Sequence, residues 1–246
     1  MEGLGREFRP HIQSQSLSAM RYERQLMLPE IGPAGQAKIK QARVLLVGVG
    51  GLGSPIALYL TGAGIGTLGL MDDDVVSTSN LHRQVLYAEE QLDQPKIDEA
   101  VKRLHSLNSE VCLKPYPFRL TSDNAASIIS QYDMVIDGCD NFATRYIIDD
   151  ACRAAGIPYL YGAVCGFEGQ AAIFNVGGSN ARHYRDLYPD EHIPHPGKQV
   201  VGMTPAVVGS VLAEQALQLI CGYGEPLVNK LWSIDLRTMQ SFVIDL

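Results

Sequence analysis

The most constraining feature of this chain is a continuous apolar run, ARVLLVG, that ends in a glycine-rich turn and passes into a segment of helical composition, SPIALYL. A strand whose apolar residues do not alternate is buried on both faces, as in parallel sheets covered by crossover helices. The turn places Gly48, Gly50 and Gly53 in G-x-G-x-x-G spacing. Such a turn lets backbone approach a phosphate beside the N–H groups of a helix N-terminus. Alone it is equally compatible with a dehydrogenase, an ATP user and a purely structural turn.

The pattern repeats. TLGLMDDD reads as a second strand ending in acids, and DMVIDGCD as another buried strand. Between them QPKIDEAVKRLHSLN places Ile97, Val101 and Leu104 at helical spacing. NFATRYIIDDACRAAG is a further helix with a glycine stop, and IPYLYGAVCG and EGQAAIFNVGG are later strands. TPAVVGSVLAEQALQLICG is a helix with proline near its start and glycine at its end, followed by a closing hairpin, KLWSIDLRT and SFVIDL. RYERQLMLPEIGPAGQAKIK holds one or two short helices ahead of the first strand. The expected fold is α/β: a Rossmann-like, doubly wound, mainly parallel sheet with a C-terminal antiparallel extension. Ligands of such sheets sit beyond the carboxyl ends of the strands.

The 246 residues, 46% of them hydrophobic, suffice for one large core. Residues 1–19 read as a polar leader without the apolar region of a secretory signal, and 20–246 as a single domain. A net charge of -7 argues against a nucleic-acid partner, and no apolar run approaches the roughly 20 residues of a membrane span. The five cysteines, Cys112, Cys139, Cys152, Cys165 and Cys221, contain no C-x-x-C pair, which fits a reducing cytoplasm.

The acids of MDDD follow the glycine turn by about 20 residues, where a carboxylate can hold ribose hydroxyls. Asp72 is the best placed. Next come Asn80, Arg83, Gln84 and Lys96, just past the second strand. Two fixed cations there suit a triphosphate better than a nicotinamide. Asp140, in DGCDN, falls at the crevice mouth, where a carboxylate can hold magnesium against phosphates; the alternative is that Asp140-Asn141 caps the next helix.

The segments RYERQ, GVGGLGSP, MDDDVVSTSNLHRQ, QPK and DGCDN resemble, in order and spacing, the MoeB/ThiF/HesA family, bacterial relatives of ubiquitin-activating enzymes. The resemblance runs from about Met20 through Leu236. It implies a homodimeric adenylyltransferase that uses ATP and magnesium to activate the C-terminal glycine of a ubiquitin-like sulfur carrier with a Gly-Gly end. Thiamine or molybdopterin biosynthesis would be the setting. By the same resemblance Gly48, Gly50, Gly51 and Gly53 form the nucleotide turn. Asp72 is the ribose acid with Asp74 beside it. Asn80, Arg83, Gln84 and Lys96 hold the polyphosphate, and Asp140 is the magnesium-linked acid. Arg24 matches an arginine that reaches into the partner's site.

The chain also departs from the family. Where many relatives carry the first of two C-x-x-C zinc pairs, it has His183 and Asp186, and no second pair follows SFVIDL, so no structural zinc is expected. His183, His192 and His195 read as residues of a solvated loop within Gly177–Gln199. No cysteine falls near Gly197, where ThiF-type relatives place a sulfur-handling cysteine; a separate protein would then supply the sulfur. Cys139 and Cys165 read as small buried hydrophobes, and Met203 and Thr204 as candidate walls of the channel for the carrier's tail. The competing readings are activation of another carboxylate, on a peptide or a modified tRNA, a dehydrogenase, and a dimeric nucleotide-binding module without catalysis.

Overall fold

The computed structural model describes residues 20–190, 197 and 199–246; the polar leader, His192 and His195 lie outside the described residues. Two short helices, α1 (Glu23–Leu26) and α2 (Gly32–Gln41), precede strand β1 (Arg43–Val47). The order then runs α3 (Gly53–Ala63), β2 (Thr67–Met71), α4 (Lys96–Leu107), β3 (Cys112–Tyr116), α5 (Ser122–Ile129), β4 (Met134–Asp137), α6 (Phe142–Ala155) and β5 (Tyr159–Cys165). The chain closes with β6 (Glu168–Phe174), α7 (Tyr184–Leu187), α8 (Met203–Cys221), β7 (Lys230–Asp235) and β8 (Gln240–Asp245).

All eight strands form one sheet in the order β3-β2-β1-β4-β5-β6-β7-β8. The pairs from β3 to β5 are parallel, and β5 to β8 form an antiparallel meander. The order therefore reverses between β1 and β4, and a crevice opens beyond their carboxyl ends. Apolar side chains of β1 alternate between the two faces: Val44 and Leu46 join a cluster with Ile56, Leu60 and Leu212, while Leu45 and Val47 join one with Ile129, Ile148 and Tyr161. That two-sided burial is why the run does not alternate with polar residues.

Three helices end where the glycines predict. Gly64, Gly156 and Gly222 sit in the left-handed region after α3, α6 and α8. Two elements were not anticipated. Strand β3 carries Lys114 and Pro115, and its side chains are largely exposed because it is the sheet's edge, where a missing N–H is tolerated. Helix α5 follows it behind a Thr121 cap.

Against the sequence expectation, one helix does approach the length and apolarity of a membrane span. Helix α8 is long and apolar enough by length and composition. Its apolarity has another use here, since it packs against α3, β5 and β6, and Val208, Leu212 and Ala216 are buried. The α3–α8 crossing depends on Gly209. A β-carbon there would press on the Leu52 carbonyl and the Pro55 ring, at the helix that opens the glycine turn. Gly209→Ala is expected to destabilise the protein by about 1–3 kcal/mol in urea unfolding, the usual cost of overpacking. A change below a few tenths would show that the crossing relaxes freely.

Candidate active site

The glycine turn is shaped first by backbone. Gly48 has φ +91°, and a β-carbon there would strike the Gly138 carbonyl. Gly53 has no such freedom to use; its α-carbon lies against the Gly48 carbonyl, where no side chain fits. These two glycines therefore serve close approach of β1, α3 and the turn after β4. Gly50 and Gly51 line the cleft beside Gln84 and Arg83. Of the first N–H groups of α3, Ser54 donates to the Gly50 carbonyl at 2.9 Å and Ile56 to the Leu52 carbonyl at 3.5 Å, and Pro55 has none, so an anion here would meet the backbone of the glycine turn itself.

The cleft has a volume of about 730 Å³ and runs over the carboxyl ends of β1, β2, β4 and β5. Asp72 ends β2 with both carboxylate oxygens engaged by backbone: Val49 N–H donates to Oδ2 and Asp74 N–H to Oδ1, each at 2.9 Å. Each oxygen keeps a second lone pair for a ribose hydroxyl. Burial raises the Asp72 carboxyl above its ordinary value, offset in part by Lys96 and the two N–H donors.

Lys96 is nearly buried, and its Nζ donates to Asp74 Oδ2 at 3.0 Å, while Asp74 itself is exposed. The Lys96 N–H also donates to the Asp74 carbonyl at 3.0 Å, which ties the start of α4 to the end of β2. Between them a 3-10 turn, Thr78–Asn80, delivers the other polar groups. Arg83 Nη2 donates to Asn80 Oδ1 at 2.9 Å and Nη1 to the Ser79 carbonyl at 3.0 Å. Gln84 is buried and lines the cleft, and its Oε1 has no hydrogen-bond partner among the described residues. A buried acceptor left open is costly, so this atom points to a ligand as its partner.

The question of which residue caps α6 has a definite answer. Asn141 Oδ1 accepts from Thr144 N–H at 2.9 Å and is the cap. Asp140 is left exposed on the cleft, accepting no hydrogen bond from the described residues. Its hard oxygens suit a divalent cation held against phosphates. Asp72, Asp73 and Asp74 bring carboxylate oxygens within 4.8 Å of one another, but each already has a partner: backbone N–H for Asp72, Arg119 for Asp73 and Lys96 for Asp74.

Not every expected residue arrives at the cleft. Arg24 is exposed on α1 and is not among the lining residues of its own chain. Thr204 is buried and donates to the Gly166 carbonyl at 2.9 Å; Met203 is exposed, and neither lines the cleft, where Pro205 stands instead. His183 and Asp186 are engaged with protein: the His183 ring meets Asn175 Oδ1, and Asp186 accepts the His183 N–H at 2.8 Å to cap α7. Gly197 and Cys165 line the cleft. Cys139 does too, but burial and the adjacent Asp137 push its thiol well above the ordinary range, which makes it a poor nucleophile.

Two cleft arginines were not anticipated. Arg119 lies on the loop after the unforeseen β3 and pairs with Asp73 at 2.7 Å. Arg145 pairs with fully buried Asp137 at 3.0 Å. A signal for Arg145 exists in the sequence: it sits one helical turn from Ile148 and Asp149, on the inward stripe of α6, where an unpaired cation would be prohibitive.

Fold and cleft together define an α/β protein with a polar cleft at a strand-order switch point, lined by Asp72, Arg83, Lys96 and Asp140. A family model described as the ThiF family matches residues 22–246, and the chain belongs to that family. It is 45% identical over 225 residues to a sulfur carrier protein adenylyltransferase of Thermus thermophilus, covering 87% of this chain and 82% of that protein. It is 41% identical over 228 residues to the probable adenylyltransferase/sulfurtransferase MoeZ of Mycobacterium tuberculosis, covering 89% of this chain but 58% of that one. Among solved structures it is similar to PaaA, with TM-score 0.79, 23% identity and coverage of 98% of this chain and 77% of that one. Escherichia coli MccB with AMPCPP and MccA gives TM-score 0.79 at 21% identity, covering 95% and 73%. At such identities these two show the fold.

Lys96→Met tests the electrostatics. ATP affinity is expected to fall about 10- to 100-fold in calorimetry, since charge-assisted bonds to phosphate contribute on the order of 1.5–3 kcal/mol each. Stability responds with a definite sign. A carboxyl raised in the fold contributes stability in full below its unfolded value and loses it as pH rises through the folded value. Without Lys96 the Asp72 carboxyl rises further, so the stability deficit of Lys96→Met should widen as pH rises above the ordinary aspartate value of about 4. A deficit independent of pH would show that Lys96 does not offset the burial of Asp72.

Proposed function

We propose that this protein is an ATP- and magnesium-dependent adenylyltransferase that activates the C-terminal glycine of a ubiquitin-like sulfur-carrier protein in thiamine or molybdopterin biosynthesis. The observation that carries the reading is the convergence of Asn80, Arg83, Gln84 and Lys96 with Asp72 and Asp140 on one cleft. A dehydrogenase has no use for a buried ammonium beside an arginine fork at its nicotinamide, and a binding module has no need of an Asp140 carboxylate that accepts no hydrogen bond from the described residues. Relatives named for sulfur-carrier adenylation, at up to 45% identity, favour a carrier over a free peptide or tRNA.

In this reading the carrier's carboxylate attacks the α-phosphorus of ATP, the bond to the bridging oxygen breaks, and pyrophosphate leaves. The acyl-adenylate stays in the cleft for a separate sulfur donor. The chain does little covalent work; it orients the reactants and offsets charge. The glycine turn at Gly50 and Gly51 receives phosphate, Asp72 holds the ribose, and Arg83 and Lys96 oppose the charge gathering on the leaving pyrophosphate. Asp140 would hold magnesium, which neutralises phosphate charge. The far wing of the cleft, lined by Ala163, Gln170, Ser233 and Glu168, would receive the carrier's glycine-ended tail. Arg24 acts in the site of the second subunit of a homodimer, as its exposure on α1 allows. The cytoplasm is the setting.

Pyrophosphate exchange into ATP, with magnesium and a panel of Gly-Gly-ended carriers, tests the reading. Exchange should require one carrier and fall by at least about 100-fold in Asp140→Ala. Exchange absent with every carrier, despite ATP binding, would overturn the carrier assignment. Mixing Arg24→Ala with Asp140→Ala should restore exchange that neither variant has alone, because a mixed dimer keeps one intact site. No recovery on mixing would remove Arg24 from the partner's site.

A further inference from the structure

The Arg145–Asp137 ion pair is the only pair among the described residues with both side chains almost wholly buried, and no step above uses it. The β4–β5 ladder ends with Val135↔Tyr159 and Ile136↔Leu160. Beyond that point the two strands part, and the Arg145 guanidinium spans the opening. Its Nε donates to Asp137 Oδ2 at 3.0 Å. Its Nη2 donates to the Cys139 carbonyl at 3.1 Å and across the gap to the Gly162 carbonyl of β5 at 3.2 Å. Asp137 completes the arrangement by accepting the Cys139 N–H at 2.8 Å on Oδ1 and the Tyr159 hydroxyl at 3.1 Å on Oδ2. Both backbone groups of Cys139 are thus held by one ion pair, one residue before Asp140. The guanidinium lies 5.3 Å from the Tyr161 ring centre and 5.7 Å from that of Phe142, which fixes its plane.

The Asp140 side chain feels the charge of Arg119 but makes no hydrogen bond among the described residues. Its side chain is exposed, and the neighbouring cap belongs to Asn141. We infer that Arg145 is a positioning residue: together with Asp137 it fixes the turn that carries Asp140, and so sets the affinity of the cleft for the magnesium–nucleotide pair rather than for nucleotide alone. This rests on the reading of Asp140 as the magnesium-linked acid, and does not depend on which carrier is activated. A lysine keeps the charge but lacks the planar fork needed to reach three acceptors at once.

The test is ATP binding by calorimetry on the full chain, with magnesium and with EDTA, in wild type, Asp140→Ala and Arg145→Lys. Wild type should gain affinity from magnesium, and Asp140→Ala should lose that gain. Arg145→Lys should lose about tenfold or more of it, the usual effect of disturbing a group that orients a metal ligand, with affinity in EDTA within about threefold of wild type. Adding Arg145→Lys to Asp140→Ala should cost nothing further. If Arg145→Lys does not fold, the paired variant Asp137→Asn with Arg145→Gln removes both charges and strands neither, and should show the same selective loss. A magnesium gain preserved in these variants overturns the inference. So does an equal loss with and without magnesium, which would make Arg145 a support of the whole cleft, and so does a wild type indifferent to magnesium. Because no carrier enters the measurement, a wrong carrier assignment fails in the exchange assay and leaves this result standing.

Discussion

The site depends on a contact between two backbones. The turn after β1 and the turn after β4 touch directly: Gly138 N–H donates to the Val47 carbonyl at 2.7 Å, and the Gly48 carbonyl is enclosed between Gly53 and Gly138. No side chain fits anywhere in that contact. It brings the glycine turn ahead of α3 against the turn that carries Asp140. It also fixes β2 on the other side, because Val49, in the same turn, donates its N–H to Asp72. Glycine here buys proximity: three strand ends converge closely enough that a single nucleotide can touch all of them.

On this frame the charges are arranged so that few are spent inside the protein. Asp72 is satisfied by N–H groups, which hold a carboxylate without cancelling a cation. Lys96 needs a partner because its ammonium is desolvated, and it has Asp74, whose own carboxylate remains in water. Asn80 holds Arg83 through a neutral amide, so the guanidinium keeps its full charge. Among the described residues the one ion pair with both side chains almost wholly buried, Arg145 with Asp137, stands at the edge of the cleft, where its hydrogen bonds go to protein backbone.

The fold was legible where burial is two-sided and helices end at glycine. The runs of β1, β2 and β4, and the caps at Gly64, Gly156 and Gly222, state their structure locally. Strand β3 was not legible because an edge strand needs neither apolar continuity nor every N–H, so Lys114 and Pro115 hide it. Losing β3 also lost Arg119, which has meaning only once its loop is set beside Asp73. The cluster from Asn80 to Lys96 could be read because its members are close in sequence and chemically alike in purpose. Thr204 was misread because helical position alone does not say which face is buried, and its hydroxyl serves the Gly166 carbonyl. Asp140 and Asn141 looked interchangeable as caps; only geometry separates an amide bonded to Thr144 from a carboxylate facing open space.

A chain of net charge -7 that binds a polyanion seems at odds with itself until distances are considered. Charges beyond a Debye length, about 8 Å at physiological ionic strength, are screened, so the acidic surface elsewhere weighs little on a phosphate inside the cleft. What weighs is the immediate wall, and a cation removed from water acts through a lower effective dielectric than one on the surface. Lys96, almost wholly buried, therefore exceeds in effect what a single charge suggests, while Arg83 is half-buried. The acids nearest to them either hold backbone N–H or face solvent. The Lys96 ammonium has one anion, Asp74, and an ammonium carries further donors for a second. The Gln84 Oε1 in the same cleft has no hydrogen-bond partner among the described residues. Both features favour an occupant that brings concentrated negative charge together with hydroxyl donors, and a nucleoside triphosphate brings both.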